Sequence, residues 1–439
     1  MTASDTIAAI ATPPGKGGVG IVRISGPTAL VIAHEITHKE LKPREAIFTH
    51  FHGMEHIIDE GIAIYFKAPH SFTGEEVVEL QGHGGPVIMD QLLQAALCCG
   101  ARMARPGEFS ERAFLNNKLD LAQAEAIADM INATTTMAAQ SAMRSLQGEF
   151  STEITKLLDE LIRLRMFIES AIDFTDEDID FIGDHNIIEG LTLLLAQIKN
   201  IHRAAQQGVL LQTGINVVIA GEPNAGKSSL LNKLSGRDSA IVTNIAGTTR
   251  DVLKESISID GLPLHIIDTA GLRDAECVIE QEGIKRAYHE ISKADLIIWI
   301  YDATCSSDIY VDFPSSIPLL KVKNKIDLLD QISVEDVGTI AISIKNNLNI
   351  EELKQAIKTK VGFHTSESST FTARRRHLDA LTKTCEYIQH GLQTYQQTQA
   401  SELLADDLRL ASLALGEITG KFTSDDLLGK IFSEFCIGK

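Results

Sequence analysis

The sequence predicts a multidomain protein of mixed α+β and α/β class, in which an α/β domain is inserted into a helical one. Three observations carry that expectation. Short β-rich pieces broken by Gly and Pro fill residues 1–118; leucine and isoleucine stripes occupy 119–212 and return over 366–439; between them, 213–365 alternates strand-like and helical stretches. Two helical blocks around one α/β block read most economically as one interrupted domain, because domain termini lie close together and tolerate insertion.

Within 1–118 the strands are TIAAIAT, GVGIVRISG, GIAIYFKA and EVVELQGHGG, with a helix around Val87 to Ala96. The next block opens on AQAEAIADMI and continues through Leu157, Leu158, Leu161, Leu164 and Ile168, then Leu191, Leu194, Ile198 and Ile201. Spacings of three and four put these on core-facing helix stripes. In 213–365, INVVIAG, LHIID, ADLIIWIYDA and PLLKVKNKID alternate with helical stretches, the signature of βαβ units and a mostly parallel sheet. ESISIDGLPLHIID holds a DG between two strand-like runs, which predicts one antiparallel hairpin at the sheet edge. After HTSESSTFTA, Leu378, Leu381, Ile388 and Leu392 restore the helical period, and no internal repeat is visible.

A chain of 439 residues, 44 % apolar, can build two or three cores. Its formal charge of −19 argues against a broad basic surface for nucleic acid, so any RNA contact is local or partner-assisted. The six cysteines form no CxxC pair and no Cys/His zinc spacing, which suits reduced thiols. MTASDTIAAIATPPG lacks the basic and long apolar segments of a signal peptide, and no apolar run reaches the ~18 residues of a membrane span. A cytoplasmic protein with no membrane partner is expected.

GKGGVG at 15–20 formally matches a dinucleotide fingerprint, but a strand-like IVRISG follows where the phosphate-binding helix would have to start. A tight glycine turn between strands is the better account. GEPNAGKSS at 221–229 has the right context: it follows a strand and opens a helix. Gly221 and Gly226 free the backbone around Asn224 and Ala225 to wrap phosphates, Lys227 reaches the β- and γ-phosphates, Ser228 offers a hydroxyl to Mg²⁺, and Ser229 continues the helix. DTAG follows in order, with Asp268 set to hold the Mg²⁺ shell, the Gly271 N–H to sense the γ-phosphate, and Thr269 and Ala270 among the GTP-binding residues. NKID then brings Asn324, Lys325 and Asp327, whose carboxylate accepts from the two guanine N–H donors that adenine lacks. Ser343, Ile344 and Lys345, the SIK segment, close over the base. These elements together select GTP; over residues 214–362 the chain resembles the translation-factor-like class of P-loop GTPases, which implies an inserted Ras-like P-loop GTPase domain.

Leu272 stands where Ras-like switches place the water-orienting Gln. Asn224 is either a loop-stabilising side chain or a ligand for K⁺, with carbonyls of TNIAGTTRD closing the shell and Thr249 meeting Mg²⁺. Beyond DTAG, Glu276, Glu280 and Glu282 are each able to orient water, or are solvated helix-face charges.

ATPPGKGGVGIVRISGP, ELQGHGGP, RPGEFSERAFLNNKLDLAQAEA, the GTPase motifs and the terminal SDDLLGKIFSEFCIGK together resemble the MnmE (TrmE) family of tRNA-modification GTPases over nearly the whole chain. That resemblance implies an N-terminal tetrahydrofolate-binding domain that also forms a homodimer, and an inserted GTPase domain that pairs across K⁺. It implies an FAD- and NADH-using partner, MnmG. With it, an aminomethyl-type group, carboxymethylaminomethyl when glycine is used, is placed on C5 of the wobble uridine of tRNA. The carbon comes from the folate. By the same resemblance Arg23, Glu79, Lys118 and Lys439 contact tetrahydrofolate. Arg and Lys suit its carboxylates, and Glu79 suits the pterin N–H groups. The K⁺ ligands fall on Asn224, Thr243, Ile245 and Thr248, the Mg²⁺ ligands on Ser228 and Thr249, and nucleotide contacts also on Asn244, Ala246 and Gly247. Glu280 takes the water-orienting role. Cys436 in FCIGK is placed beside the one-carbon unit as nucleophile or acid/base group, with Phe432 and Phe435 as anchors for the tail. The rival class is a GTPase switch that scaffolds ribosome or complex assembly without chemistry of its own.

Smaller signals add little. DFTDEDIDF at 173–181 lacks the Gly and Glu of a calcium loop and reads as an acidic turn. RRRH at 374–377 either touches tRNA phosphate or starts a helix. GHGG at 82–85 has one His among glycines, too few for a metal. The short stretch from Ala303 to Pro318 predicts a truncated helix.

Overall fold

The computed structural model describes residues 5–173, 184–221, 224–235, 254–268, 292–304, 314–329, 338–364, 371–422, 425–433, 435 and 438. The acidic turn at 174–181 and most of the expected truncated helix lie outside them. The chain forms two compact units, one of residues 1–128, 146–194 and 383–439, the other of 129–145 and 195–382.

The first unit is built on a six-stranded sheet of order β3-β4-β5-β2-β1-β6, from β1 (Ile7–Ile10), β2 (Gly17–Ser25), β3 (Ala46–His52), β4 (Ile57–Phe66), β5 (Val77–Gly84) and β6 (Arg102–Met103). All its pairings are antiparallel except β1 with β6. The residues of GKGGVG run into β2 with a bulge between Gly17 and Gly20, and the helix a dinucleotide site requires does not follow. Strand alternation sends Val22, Ile24, Val78 and Leu80 toward α1 (Ala29–Thr37) and α2 (Pro86–Cys98), where they form one core with Ile32, Ile36, Met89 and Leu92. The other face carries Arg23 and a small cluster of Ile7, Ala9, Ala104 and Phe109.

Helices of this unit include α3 (Glu108–Leu115), α6 (Glu149–Asp173), α11 (Ser401–Gly416) and α12 (Asp425–Ser433), with α6 packed on α11 and α3 on α12. The end of the chain is anchored as its aromatics suggest: Phe432 and Phe435 are 2 % and 6 % exposed in a cluster with Leu121, Ala124 and Ile431. Their rings lie 5.4 Å apart, and Phe114 covers Phe432 at 6.3 Å.

The second unit holds a sheet of order β12-β11-β10-β7-β9-β8, from β7 (Ile215–Gly221), β8 (Lys254–Ile259), β9 (Leu262–Asp268), β10 (Leu296–Asp302), β11 (Leu319–Asn324) and β12 (Thr339–Ala341). Every pairing is parallel except the β8–β9 hairpin at the edge, turned by Asp260 (φ 50°) and Gly261 (φ 89°) as the DG signal requires. Continuous apolar strands bury both faces: Val217, Ile219, Ile266 and Ile298 on one, Val218, Ala220, Ile267 and Ile297 on the other. α8 (Lys227–Ser235) and α9 (Ile350–Lys360) contribute Leu230, Leu234, Leu353 and Ile357.

The helical blocks are shared between the units, whose limits fall inside α4 (Leu121–Asn132), α7 (Asp184–Thr213) and α10 (Arg375–Thr398). α5 (Thr136–Leu146) lies almost wholly in the second. There Asp129 on α4 accepts from Gln212 Nε2 (3.2 Å) and Arg374 Nη2 (2.8 Å). His377 is 2 % exposed and its Nδ1 accepts from the Arg374 N–H at 3.0 Å. Two of the four RRRH residues therefore serve the start of α10.

Candidate functional site

The phosphate loop connects β7 to α8, the strand–loop–helix order its chemistry requires. Asn224 stands exposed at φ 62°, Ala225 is buried, and Lys227 Nζ donates to the Gly221 carbonyl at 3.0 Å. Ser228 and Ser229 are exposed on the first turn of α8. Gly226 has φ 103°, and a Cβ there would sit 2.5 Å from Asn324 Nδ2, so conformation and close approach both require glycine.

That close approach brings two motifs together. Asn324, 4 % exposed at the end of β11, donates from Nδ2 to the Ala225 carbonyl (2.8 Å) and accepts at Oδ1 from the Ile344 N–H (3.3 Å). Ser343 is fully buried; its Oγ donates to Asp327 Oδ1 at 2.6 Å and accepts from the Asn346 N–H at 3.1 Å. NKID, SIK and the phosphate loop thus form one hydrogen-bonded latch around the half-buried Asp327 carboxylate. The Ile344 contact runs through its backbone, so Ile at this position leaves the latch intact. Lys345 is exposed. Lys325 takes φ 66° and pairs with Asp302 Oδ2 at 2.6 Å, a partner the sequence did not signal. Asp268 ends β9, beside Ile219 of β7. Thr243, Asn244, Ile245, Ala246, Gly247, Thr248, Thr249, Thr269, Ala270, Gly271 and Glu280 lie outside the described residues.

The second cluster lies on the open face of the first unit's sheet. Arg23 of β2 and Glu79 of β5 are cross-strand partners, and Glu79 Oε1 accepts from Arg23 Nε (3.0 Å) and Nη2 (2.8 Å). The pair is partly buried, at 21 % and 15 % exposure. Phe72 and Phe109 flank the guanidinium at 5.5 and 5.7 Å, and its Nη1 donates to the Gly438 carbonyl at 3.5 Å. Gly438 has φ 93°, and a Cβ there would collide with the Ile10 carbonyl. Among the described residues, pairing with Arg23 leaves Glu79 Oε2 with a hydrogen bond from Gln81 Nε2 at 3.5 Å, as the oxygen turned from the guanidinium. Lys118 donates to the Pro69 carbonyl at 2.9 Å, and its stem lies against Gly74, on the segment that carries Phe72. Phe109 and Gly438 lie in the quoted RPGEFSERAF and FCIGK segments without a role having been read for them, and Phe72 lies outside every quoted motif. Lys439 and Cys436 lie outside the described residues.

An ion network supports this face. Glu108, 2 % exposed, accepts from Arg102 Nη2 (2.6 Å), Arg112 Nη2 (3.2 Å) and the Arg105 N–H (2.7 Å). Burial opposes ionisation of Glu108, but these donors hold its carboxyl below the usual range. Arg112 reaches on to Asp5 and Glu75, and Glu75 accepts from Ser25 Oγ at 2.8 Å. His83 of GHGG hydrogen-bonds through Nδ1 to Asp59 at 2.8 Å, which raises the imidazole's affinity for a proton. Among the described residues no group of three or more His, Cys, Asp or Glu is placed to hold a metal, and no helix is long and apolar enough to cross a membrane. Within the second unit a cavity of about 620 Å³ lies between the α4–α5 connection and the β8–β9 hairpin, where Thr135 Oγ1 donates to the Gly261 carbonyl at 2.9 Å.

Comparison with known proteins covers the whole chain. Residues 6–118 match the family described as the GTP-binding protein TrmE N-terminus, and residues 121–436 the MnmE helical domain. A protein from Coxiella burnetii (strain Dugway 5J108-111) named tRNA modification GTPase MnmE is 54 % identical over 446 residues, 99 % of each chain. Its namesake from Hydrogenovibrio crunogenus is 54 % identical over 449 residues, 100 % of each chain. That from Legionella pneumophila (strain Philadelphia 1) is 52 % identical over 444, 99 % of each.

Proposed function

Because the chain belongs to the MnmE family of tRNA modification GTPases, we propose that it is a K⁺-activated GTP hydrolase that drives modification of the wobble uridine in tRNA. The observation that carries the nucleotide part is the latch joining Asn324, Ala225, Ile344, Ser343 and Asp327. It holds a carboxylate able to accept from the two N–H donors of guanine, and it ties NKID and SIK to the phosphate loop. Lys227, now on the Gly221 carbonyl, exchanges that partner for phosphate oxygens.

Mg²⁺ is assigned to Ser228 and Thr249, and K⁺ to Asn224, Thr243, Ile245 and Thr248. The exposed Asn224 amide oxygen and Ser228 hydroxyl fit hard cations, which take oxygen ligands. When bound, the two cations would supply positive charge that offsets the negative charge on the phosphate oxygens in the transition state. Glu280 orients the attacking water in place of the Gln that Leu272 replaces. Domains at 1–118, 119–212 with 366–439, and 213–365 divide this work.

Tetrahydrofolate is assigned to Arg23, Glu79, Lys118 and Lys439, and the one-carbon unit to the neighbourhood of Cys436. Two aromatics flanking a partly buried guanidinium, and a carboxylate oxygen turned from it, suit a flat, N–H-rich ring with a carboxylate tail. The chain works as a cytoplasmic homodimer with the FAD- and NADH-using MnmG, adding an aminomethyl-type group, or carboxymethylaminomethyl with glycine, to C5. Steady-state GTP hydrolysis in KCl against NaCl at equal ionic strength tests the reading; equal slow rates overturn K⁺ activation. Glu280→Ala is expected to abolish turnover and spare GTP binding, and near-normal hydrolysis by that variant removes the assignment.

A further inference from the structure

We propose that Asp302 is a positioning residue for the purine end of the nucleotide site, acting through the Lys325 side chain. The inference rests on the nucleotide reading above. Asp302 closes β10, in register with Asn324 of β11, and the Ala303 N–H donates to the Asn324 carbonyl at 2.8 Å. Its Oδ1 accepts from the Thr304 N–H (2.9 Å) and hydroxyl (2.8 Å), and its Oδ2 from Lys325 Nζ (2.6 Å). Both carboxylate oxygens are therefore occupied by groups that fix its own direction.

Side-chain exposure is 14 % for Asp302 and 33 % for Lys325, so the pair is shielded enough to persist and open enough to border a ligand. Lys325 lies between Asn324, which binds the phosphate loop, and Asp327, the guanine-reading carboxylate, and its left-handed backbone bends the turn there. A lysine stem with four rotatable bonds is a poor wall for a flat base until its ammonium is tethered. Asp302 supplies the tether. It neutralises the ammonium and lays the methylene stem down before the base arrives, so binding spends no ordering entropy on it. Asp302 reaches no phosphate-loop residue by any of these bonds, so its effect belongs to nucleotide retention, not hydrolysis.

The experiment uses the full chain and a fluorescent GDP analogue, with release followed by stopped flow and GTP hydrolysis measured beside it. Asp302→Asn keeps the shape and the acceptor for Thr304 but loses the charge that holds Lys325. Release is expected to accelerate about tenfold and KM to rise in step, with kcat within about twofold, the pattern of lost uniform binding. Lys325→Met keeps the stem and drops the anchor, so it should reproduce the effect, and the double variant should release no faster than either single one. Wild-type release by Asp302→Asn, or multiplying effects in the double variant, overturns the proposal. If Asp302→Asn lowers the melting temperature, Asp302→Glu takes its place: restored slow release supports the tether, and release as fast as in Lys325→Met rejects it. Asp327→Asn separates the two readings. If it leaves GDP release unchanged, the nucleotide site itself is misplaced; if it accelerates release while Asp302→Asn does not, only the role of Asp302 falls.

Discussion

The two six-stranded sheets build their sites in opposite ways. In the parallel sheet both faces are buried, so the candidate site residues that are described sit at and beyond the carboxyl ends of β7, β10 and β11. In the antiparallel sheet one face is only partly covered, by Phe109 of α3 and its small cluster, and the candidate site centres on strand side chains, Arg23 and Glu79, brought side by side from 56 residues apart. A loop site is a short contiguous string whose backbone geometry dictates its residues. A face site is distributed, and each member looks ordinary where it stands in the chain.

The comparison breaks most visibly at Lys227. Lys227→Ala should reduce GTP hydrolysis by about 10²–10³-fold, the scale of removing one charge-stabilising donor. Folate retention by the same protein should not change. Loss of both activities in one variant would mean that the sites are not separable. The reciprocal change is Arg23→Ala, with an expected drop in folate affinity of about tenfold by calorimetry and unchanged hydrolysis. Arg23→Lys sharpens it: an ammonium cannot reproduce the fork that donates twice to Glu79 Oε1 while lying between Phe72 and Phe109, so Lys should rescue little. Full rescue would show that charge alone matters on that face.

The same contrast explains what the sequence made legible. GEPNAGKSS, NKID and SIK could be read because their residues answer local demands, as when Gly226 takes a φ of 103° that favours glycine. The DG hairpin and the apolar strands of the parallel sheet were legible for the same reason. Arg23, Glu79 and Lys118 came only from whole-chain resemblance, since β-pairing, not spacing, puts Arg23 opposite Glu79. Phe72, Phe109 and the Gly438 carbonyl were not found, because contacts with them depend on tertiary packing. The Asp302–Lys325 pair was missed although Lys325 sits inside a motif, as its partner arrives from the neighbouring strand. RRRH shows the converse: charges that look like a phosphate contact are used at Arg374 and His377 to begin α10.

A smaller effect tests whether the chain terminus belongs to the face site. Gly438→Ala must move, because its backbone is left-handed and the added methyl meets the Ile10 carbonyl. A several-fold loss of folate affinity is expected, with melting temperature and GTP hydrolysis near wild type. Unaltered folate binding would detach the tail from the site and leave Arg23, Glu79 and Lys118 to define it alone.

The smallest effect concerns the ion network behind the face. Hydrogen bonds from Arg102, opposed by burial and helped by Arg112, hold the Asp5 carboxyl down at about 2 against an ordinary 3.8. A carboxyl depressed in the folded state stabilises it above the unfolded value and loses that contribution as pH falls through the folded one. Asp5→Asn should therefore melt lower than the parent at pH 6, and the difference should close between about pH 4 and 2. Because the Asp5 side chain is 52 % exposed, solvent screens the pair and the gap should stay below about 2 °C. Glu108 is held low by the same Arg102 and Arg112, so the comparison is read in a Glu108→Gln background, where only Asp5 of this pair titrates. A gap that stays constant with pH would assign the effect to geometry rather than charge, such as a shift in the Arg112 contact with the Asp5 main-chain carbonyl (2.7 Å). The face would then be held by shape rather than by charge.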